Sequence, residues 1–166
     1  MSQSFTKIGL IGRGQHESSV DTLQRLLRVL EERQSEILVE PRLAHLLVGA
    51  TLKEASRDEI GEYCDLVIVV GGDGSMLSAA RIMAKYDTPV LGVNRGRLGF
   101  LTDISPDEIE TRVSAVLDGE YQREMRFLLE AEVVRDGEVV GRADALNDVV
   151  VNSGTSAQMI EFGLHI

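Results

Sequence analysis

The sequence predicts an α/β fold in which a doubly wound parallel sheet is followed by the start of a second, β-rich domain. Short apolar segments alternate with amphipathic helical segments about four times before residue 120, which is the pattern of parallel strands joined by helices. After residue 120 the helical segments stop and strand-like segments follow one another. We therefore divide the chain into an α/β domain, residues 1–120, and an incomplete β-rich domain, residues 121–166.

The α/β domain is organised around Leu66–Leu77, with the sequence LVIVVGGDGSML. Its first part, Leu66–Val70, is apolar throughout and predicts a strand buried on both faces of a sheet. The turn Gly71–Gly74 (GGDG) comes next, and a helical pattern runs from Ser75 to Tyr86. A strand, a glycine turn and a helix bring backbone N–H groups to a helix N-terminus, where they can bind phosphate. The glycines allow close backbone approach and positive φ.

Asp73 is the only residue of this turn that is not a glycine. It either caps the helix that follows or meets a ligand. A second glycine-rich turn farther along the chain favours the ligand. We therefore take Asp73 as the first candidate for chemistry.

The other segments of the α/β domain follow from hydrophobic periodicity and from helix start and stop signals. They are a strand at Lys7–Ile11, a helix from Ser18 or Ser19 to about Glu32, a strand at Ile37–Val39, a helix at Lys53–Tyr63, a strand at Thr88–Val93 and a helix from Ser105 to Leu117.

The first glycine turn, Gly12-Arg13-Gly14, begins like a dinucleotide-binding fingerprint. Glu17 stands where the third glycine would be, and only Glu40 could supply the acidic residue at the end of the second strand. These departures favour a plain turn between a strand and a helix.

The second glycine-rich turn, Asn94–Leu101 (NRGRLGFL), carries Arg95 and Arg97. In a chain with a formal net charge of −10, two guanidinium groups beside glycines either lie in a solvated loop or contact phosphate. Both interpretations stay open.

The β-rich domain begins with a predicted hairpin, in which Phe127–Arg135 and Glu138–Ala145 flank an Asp-Gly turn. Further strands are predicted at Ala145–Asn152 and Met159–Ile166. The chain ends inside the last of these, which leads us to expect a truncated form. Because such an end leaves an unpaired strand edge, we also expect a homo-oligomer.

Composition excludes several classes of protein. The net charge of −10 and the pI of about 4.8 argue against nucleic-acid and anionic-membrane surfaces, and no apolar segment approaches the length of a membrane span. The one cysteine, Cys64, excludes an internal disulfide, fits a reducing cytoplasm and is predicted to pack as a small apolar residue. His16, His45 and His165 lack ligand spacing, so no metal site is predicted from them.

Three motifs together resemble those of bacterial NAD kinases: GGDG at Gly71–Gly74, NRGRLGFLTD at Asn94–Asp103, and LNDVVV at Leu146–Val151. The likeness extends from Ile8 to Ile166. GGDG alone is less specific, because lipid kinases of the diacylglycerol type and 6-phosphofructokinases carry similar turns. The order and spacing of all three motifs favour the NAD kinases.

The resemblance implies a Rossmann-like α/β domain and a β-rich domain with NAD between them, and phosphorylation of the 2′-hydroxyl of the adenosine ribose by ATP with Mg²⁺. It makes Asp73 the catalytic residue and Phe100 an aromatic residue that packs on the adenosine. Asn147 and Asp148 would hold the adenosine, with the carboxylate on the ribose hydroxyls. The full set of expected NAD-binding residues is Gly72, Asp73, Gly74, Asn94, Phe100, Asn147, Asp148 and Gln158.

Phosphoryl transfer passes through a loose transition state, so the enzyme mostly positions groups and neutralises charge. Asp73 would accept a hydrogen bond, and late in the reaction the proton, from the 2′-hydroxyl. The alternative role is ligation of Mg²⁺. From the sequence we expect Asp73→Asn to keep NAD affinity and to lose most of kcat.

Two other functions stay open. One is a nucleotide-binding fragment without turnover, because a later ligand-binding loop of the family is absent from this sequence. The other is a lipid kinase of the diacylglycerol type, against which the net charge of −10 argues.

Overall fold

The computed structural model describes residues 5–12, 17–47, 52–95, 99–102 and 104–152, together with residues 161, 163 and 165. The chain forms two compact units, Met1–Arg126 and Phe127–Ile166. The strands of the first unit are β1 Lys7–Gly12, β2 Glu36–Val39, β3 Lys53–Glu54, β4 Leu66–Val70 and β5 Val90–Val93. Its α-helices are α1 Glu17–Glu32, α2 Pro41–Ala44, α3 Arg57–Tyr63, α4 Asp73–Met83 and α5 Ile109–Leu117, with short 3₁₀ segments at Ala84–Tyr86 and Pro106–Glu108.

The five strands of the first unit form one parallel sheet in the order β3-β2-β1-β4-β5. Both faces of β4 are buried, and its side chains alternate between two hydrophobic clusters. Ile68 belongs to the cluster that contains residues of α1 and α5, whereas Val69 belongs to the cluster that contains residues of α3 and α4. This arrangement confirms the predicted α/β fold with a doubly wound parallel sheet.

The predicted helix at Lys53–Tyr63 is wrong in its first half. Lys53–Glu54 instead pairs with β2 as the edge strand of the sheet. The helix begins only after Ser56, whose hydroxyl accepts the N–H of Glu59 at 3.3 Å while the Glu59 carboxylate accepts the N–H of Ser56 at 2.7 Å. This capping box fixes the start of α3.

Cys64 packs inside the cluster on the α3 and α4 side, where 7% of its surface is exposed. Burial raises the pKa of its thiol to about 12. The thiol is therefore neutral near pH 7, as a small apolar residue of the core would be.

The second unit contains the predicted hairpin, formed by β6 Leu129–Arg135 and β7 Glu138–Ala145. The turn residues Asp136 and Gly137 have φ of 52° and 84°, the positive values that a two-residue Asp-Gly turn requires. The predicted strand at Ala145–Asn152 is wrong beyond Ala145, since residues 146–152 pair with no strand in the part of the chain that the structure describes. Most of the segment Met159–Ile166 lies outside the described residues.

Residues after 120 still contact the α/β unit. The ring centroids of Tyr121 and Phe5 lie 5.3 Å apart. Arg123 forms an ion pair with Asp87, with 3.5 Å between Nη2 and Oδ1. These contacts explain why the first unit extends to Arg126, six residues beyond the position drawn from the sequence. Of the helices in the described ranges, none is both long and apolar enough to cross a membrane.

Candidate active site

The glycine turn after β4 lies at the carboxyl end of the sheet. The N–H of Gly71 donates to the carbonyl of Val93 at 2.9 Å, which ties the turn to β5. Gly72 is the N-cap of α4, with φ of −104°, and none of the three glycines has positive φ. The glycines therefore do not use the positive φ that they allow, and they serve the site through the space that they leave.

That space differs along the turn. A Cβ on Gly71 would lie 2.6 Å from the Cβ of Ser75, so this glycine lets the first turn of α4 pack against the end of β4. Apart from its own neighbours in the chain and helix, a Cβ on Gly72 or Gly74 would meet no atom of the described residues within 4 Å. The first N–H groups of a helix have no acceptor within it, so an open face at this end of α4 suits an anion.

Asp73 is the first residue of α4 and is half-buried. Its Oδ2 accepts the backbone N–H of Phe100 at 3.0 Å, and its Oδ1 accepts that of Leu101 at 3.0 Å. The two oxygens of a carboxylate offer about four acceptor positions, so Asp73 can still accept a hydrogen bond from a ligand hydroxyl.

The segment that supplies these N–H groups returns to the sheet beside β5. Asn94 donates its N–H to the carbonyl of Ile104 at 2.8 Å, and Ile104 donates to the carbonyl of Gly92 at 3.3 Å. A Cβ on Gly92 would lie 3.0 Å from the carbonyl oxygen of Leu101 and 3.0 Å from the Cα of Thr102. Gly92 therefore lets residues 101–102 lie close to β5, which brings Phe100 and Leu101 to the start of α4.

Gly99 is a residue of this site that the sequence did not single out. A Cβ at this position would collide with Oδ1 of Asp73 and would lie 2.8 Å from its Cγ. The side chain of Phe100, next in the chain, is 97% exposed. The sequence signal for Gly99 is a glycine directly before an aromatic residue in the second glycine-rich turn.

Asn94, by contrast, is turned into the protein. It is 4% exposed at the end of β5, so its side chain offers a ligand little surface. Arg95 is half-buried, and Arg97 lies outside the described residues.

Within the first glycine turn, the structure describes Gly12, which contacts other parts of the protein. Gly12 donates its N–H to Oε2 of Glu40 at 3.3 Å, and Arg57 donates from Nε to Oε1 of Glu40 at 2.9 Å. The same guanidinium donates to the hydroxyl of Ser78 at 2.8 Å. A Cβ on Gly12 would collide with the carbonyl oxygen of Val70, so packing of β1 against β4 explains this glycine. Both findings give Gly12 a role within the protein. Arg13 and Gly14 lie outside the described residues, so the plain turn stays a prediction.

In the second unit, Asn147 and Asp148 are exposed neighbours, and Nδ2 of Asn147 donates to Oδ1 of Asp148 at 2.9 Å. Gln158 lies outside the described residues. Within the ranges that the structure describes, no group of three or more His, Cys, Asp or Glu side chains is placed to hold a metal ion.

The chain is similar to known proteins along almost its whole length. A family model described as the ATP-NAD kinase N-terminal domain matches residues 8–121. A protein of Chromohalobacter salexigens named NAD kinase is 59% identical over 164 residues, which are 99% of this chain and 56% of that protein. A protein of the same name from Azotobacter vinelandii is 56% identical over the same shares. The chain thus spans about half the length of the curated relatives it matches.

A solved structure supports the fold. The crystal structure of yeast NADH kinase complexed with NADH aligns with a TM-score of 0.73 over 87% of this chain and 48% of that chain, at 19% sequence identity. At this identity the likeness shows that the fold is shared.

Proposed function

Because the chain belongs to the NAD kinase family, we propose that the protein transfers a phosphoryl group from ATP to the 2′-hydroxyl of the adenosine ribose of NAD, which yields NADP. The observation that carries this proposal is the setting of Asp73. Its half-buried carboxylate stands at a helix N-terminus beside the open faces of Gly72 and Gly74. In phosphoryl transfer to a hydroxyl group, the carboxylate can bind the hydroxyl group, and unhindered N–H groups can bind the phosphate.

In the proposed reaction Asp73 accepts a hydrogen bond from the 2′-hydroxyl and takes its proton as the bond from the 2′-oxygen to the γ-phosphorus of ATP forms. The bond from that phosphorus to the β,γ-bridging oxygen breaks at the same time, and ADP leaves. Hydrogen bonds from Phe100 and Leu101 hold the carboxylate in one orientation, so it is positioned before the substrate binds. Mg²⁺ bound with ATP would neutralise charge on the phosphates. Ligation of that ion by Asp73 is the second candidate role of this carboxylate.

The NAD-binding set follows from the family motifs. Gly72 and Gly74 allow the ligand to approach the backbone, and the exposed ring of Phe100 packs on the adenosine. Asn147 and Asp148 hold the adenosine. Asn94 and Gln158 complete the set.

We also propose that the protein lies in the cytoplasm and forms a homo-oligomer. A reduced, buried Cys64 fits the cytoplasm. A homo-oligomer is supported by exposed valines on the hairpin of the second unit, of which Val133 and Val140 are each 57% exposed. Light scattering of the full-length protein tests the assembly, and the mass of a single chain would overturn it.

The experiment that tests the function measures product formation by the full-length protein. ATP and NAD are supplied, and NADP is detected with an NADP-specific dehydrogenase, while a parallel reaction offers diacylglycerol in vesicles. We expect NADP to form and no lipid to be phosphorylated. Binding of NAD without formation of NADP would favour a binding fragment, and phosphorylation of the lipid would favour a lipid kinase.

A further inference from the structure

We propose that Asp73 and Gly99 act together to position Phe100 against the nucleotide, so that Gly99 is a positioning residue of the NAD site. This inference rests on the proposed function, since it assigns a role to a residue beside the proposed NAD site. Three features of the first unit carry it.

The first feature is the pairing of one carboxylate with two successive backbone N–H groups. Phe100 donates to Oδ2 of Asp73 and Leu101 donates to Oδ1, each at 3.0 Å. Hydrogen bonds to an ionised acceptor are shorter and about twice as strong as those between neutral groups. Because both oxygens are used, the backbone of residues 100–101 is fixed in position and in orientation relative to α4.

The second feature is the absence of a side chain at Gly99. An added Cβ would overlap Oδ1 of Asp73, with Cγ at 2.8 Å and Oδ2 at 3.0 Å. The carboxylate cannot move away without giving up one or both bonds to Phe100 and Leu101. A side chain here would need the space that the Asp73 carboxylate occupies, which is a reason for a glycine at this position.

The third feature is the exposure of Phe100. With 97% of its surface exposed, the ring has little packing to hold it in place. Its placement depends on the backbone, and the backbone is held by Asp73. An aromatic ring that must stack on a ligand gains affinity when its position is fixed beforehand.

These features change the expectation for Asp73→Asn. An amide has one acceptor oxygen and one donor NH₂, so one of the two backbone N–H groups would face another donor. The variant loses a hydrogen bond to a charged group, and a backbone N–H is left facing the introduced NH₂. We expect this loss to weaken the binding of NAD about tenfold. We therefore expect this variant to lose affinity for NAD as well as kcat.

A fluorescent reporter tests the positioning directly. The chain contains no tryptophan, so Phe100→Trp introduces a single tryptophan, and the anisotropy of its fluorescence, excited beyond the absorption of tyrosine, reports the mobility of residue 100. We expect Gly99→Ala and Asp73→Asn, each combined with the reporter, to lower the anisotropy. Two matched controls should leave it unchanged: Gly141→Ala, where the added carbon meets Val133 at 3.8 Å, and Asp107→Asn, whose side chain is 98% exposed.

Kinetics of the full-length protein test the consequence for the substrate. Gly99→Ala should raise KM for NAD about tenfold, in line with the loss of a charge-assisted hydrogen bond. If Gly99 acts through Phe100, the same change made in a Phe100→Ala background should have no further effect on KM. A purely structural role of Gly99 would give additive effects instead.

The outcomes separate this inference from the proposed function. Unchanged anisotropy in both Gly99→Ala and Asp73→Asn would overturn the positioning, as would additive effects on KM, even when NADP forms. Lowered anisotropy would support it even when the wild-type protein forms no NADP. Asp73→Asn adds no bulk, so it keeps the test valid if Gly99→Ala does not fold.

Discussion

The guanidinium of Arg57 lies against the carboxylate of Glu40, with 2.9 Å between Nε and Oε1 and 3.3 Å between Nη2 and Oε2. The side chains are 20% and 9% exposed. Glu40 also accepts the N–H of Gly12, and Arg57 also donates to Ser78. One ion pair thus joins the ends of β1 and β2 to α3 and to the helix that begins at Asp73.

Removal of Arg57 should destabilise the fold. Arg57→Ala leaves the buried carboxylate of Glu40 without its counterion, which costs about 3 kcal/mol of unfolding free energy. The matched control is Arg112→Ala, because Arg112 pairs with Glu108 at an exposed position and its loss should cost less than about 1 kcal/mol. Urea unfolding measures both, and equal effects would show that the buried pair does not connect these elements.

The turn after β4 should respond oppositely to alanine at two of its glycines. Gly71→Ala forces the Cβ of Ser75 away from a 2.6 Å contact and should cost about 1–3 kcal/mol. The added carbon of Gly74→Ala approaches no atom of the described residues beyond its own helix, and position 74 lies within α4, so this variant should stabilise the chain by about 0.4–1 kcal/mol.

Thermal unfolding of both variants measures the difference, and calorimetry with NAD measures the second consequence. Because the open face of Gly74 belongs to the proposed NAD site, the more stable Gly74→Ala protein should bind NAD more weakly. Tighter or unchanged NAD binding by that variant would remove this glycine from the site.

Two ion pairs, one between α1 and α5 and one between the residues that directly follow these helices, should make stability fall in acid. Arg25 holds the pKa of Glu110 below its usual value of 4.5 by a two-point contact, and Arg33 does the same for Asp118, whose usual pKa is 3.8. A lowered folded-state pKa means that each contribution is complete above the unfolded-state value and is lost as pH falls through the folded-state value.

The difference in Tm between wild type and Glu110→Gln should therefore be constant from about pH 5.5 to 7.5 and should shrink below about pH 4.5. Glu31→Gln on α1 is the control, since Glu31 is exposed and forms no ion pair with any residue in the described ranges. A difference that grows toward low pH would contradict the sign of the shift.

The elements that the sequence predicts well are those fixed by local pattern. Leu66–Val70 is apolar at every position, as a strand covered on both faces must be, and the Asp136-Gly137 turn requires two positive φ values that these residues adopt readily. The mistaken helix at Lys53–Tyr63 shows the limit of such patterns. A two-residue edge strand carries too short a signal, and only its pairing with β2 defines it.

The candidate site could be predicted only in part, because contacts between residues far apart in the sequence determine much of its geometry. The motif GGDG identified Asp73. The partners of its carboxylate, the N–H groups of Phe100 and Leu101, lie 27 and 28 residues away in the chain. Gly99 acquires its role only when the second turn folds back beside β5, and no local pattern encodes that contact. Likewise, the sequence could not show that the carboxylate of Glu40 accepts hydrogen bonds from Gly12 and Arg57.

The rate of the chemical step at saturating NAD and ATP tests the central assignment most directly, because saturation removes effects on binding. In the full-length protein, Asp73→Asn should lower the single-turnover rate of NADP formation by about 100-fold or more, whereas Asp107→Asn should leave it unchanged. A rate for Asp73→Asn within about twofold of wild type would contradict the role of this carboxylate in phosphoryl transfer.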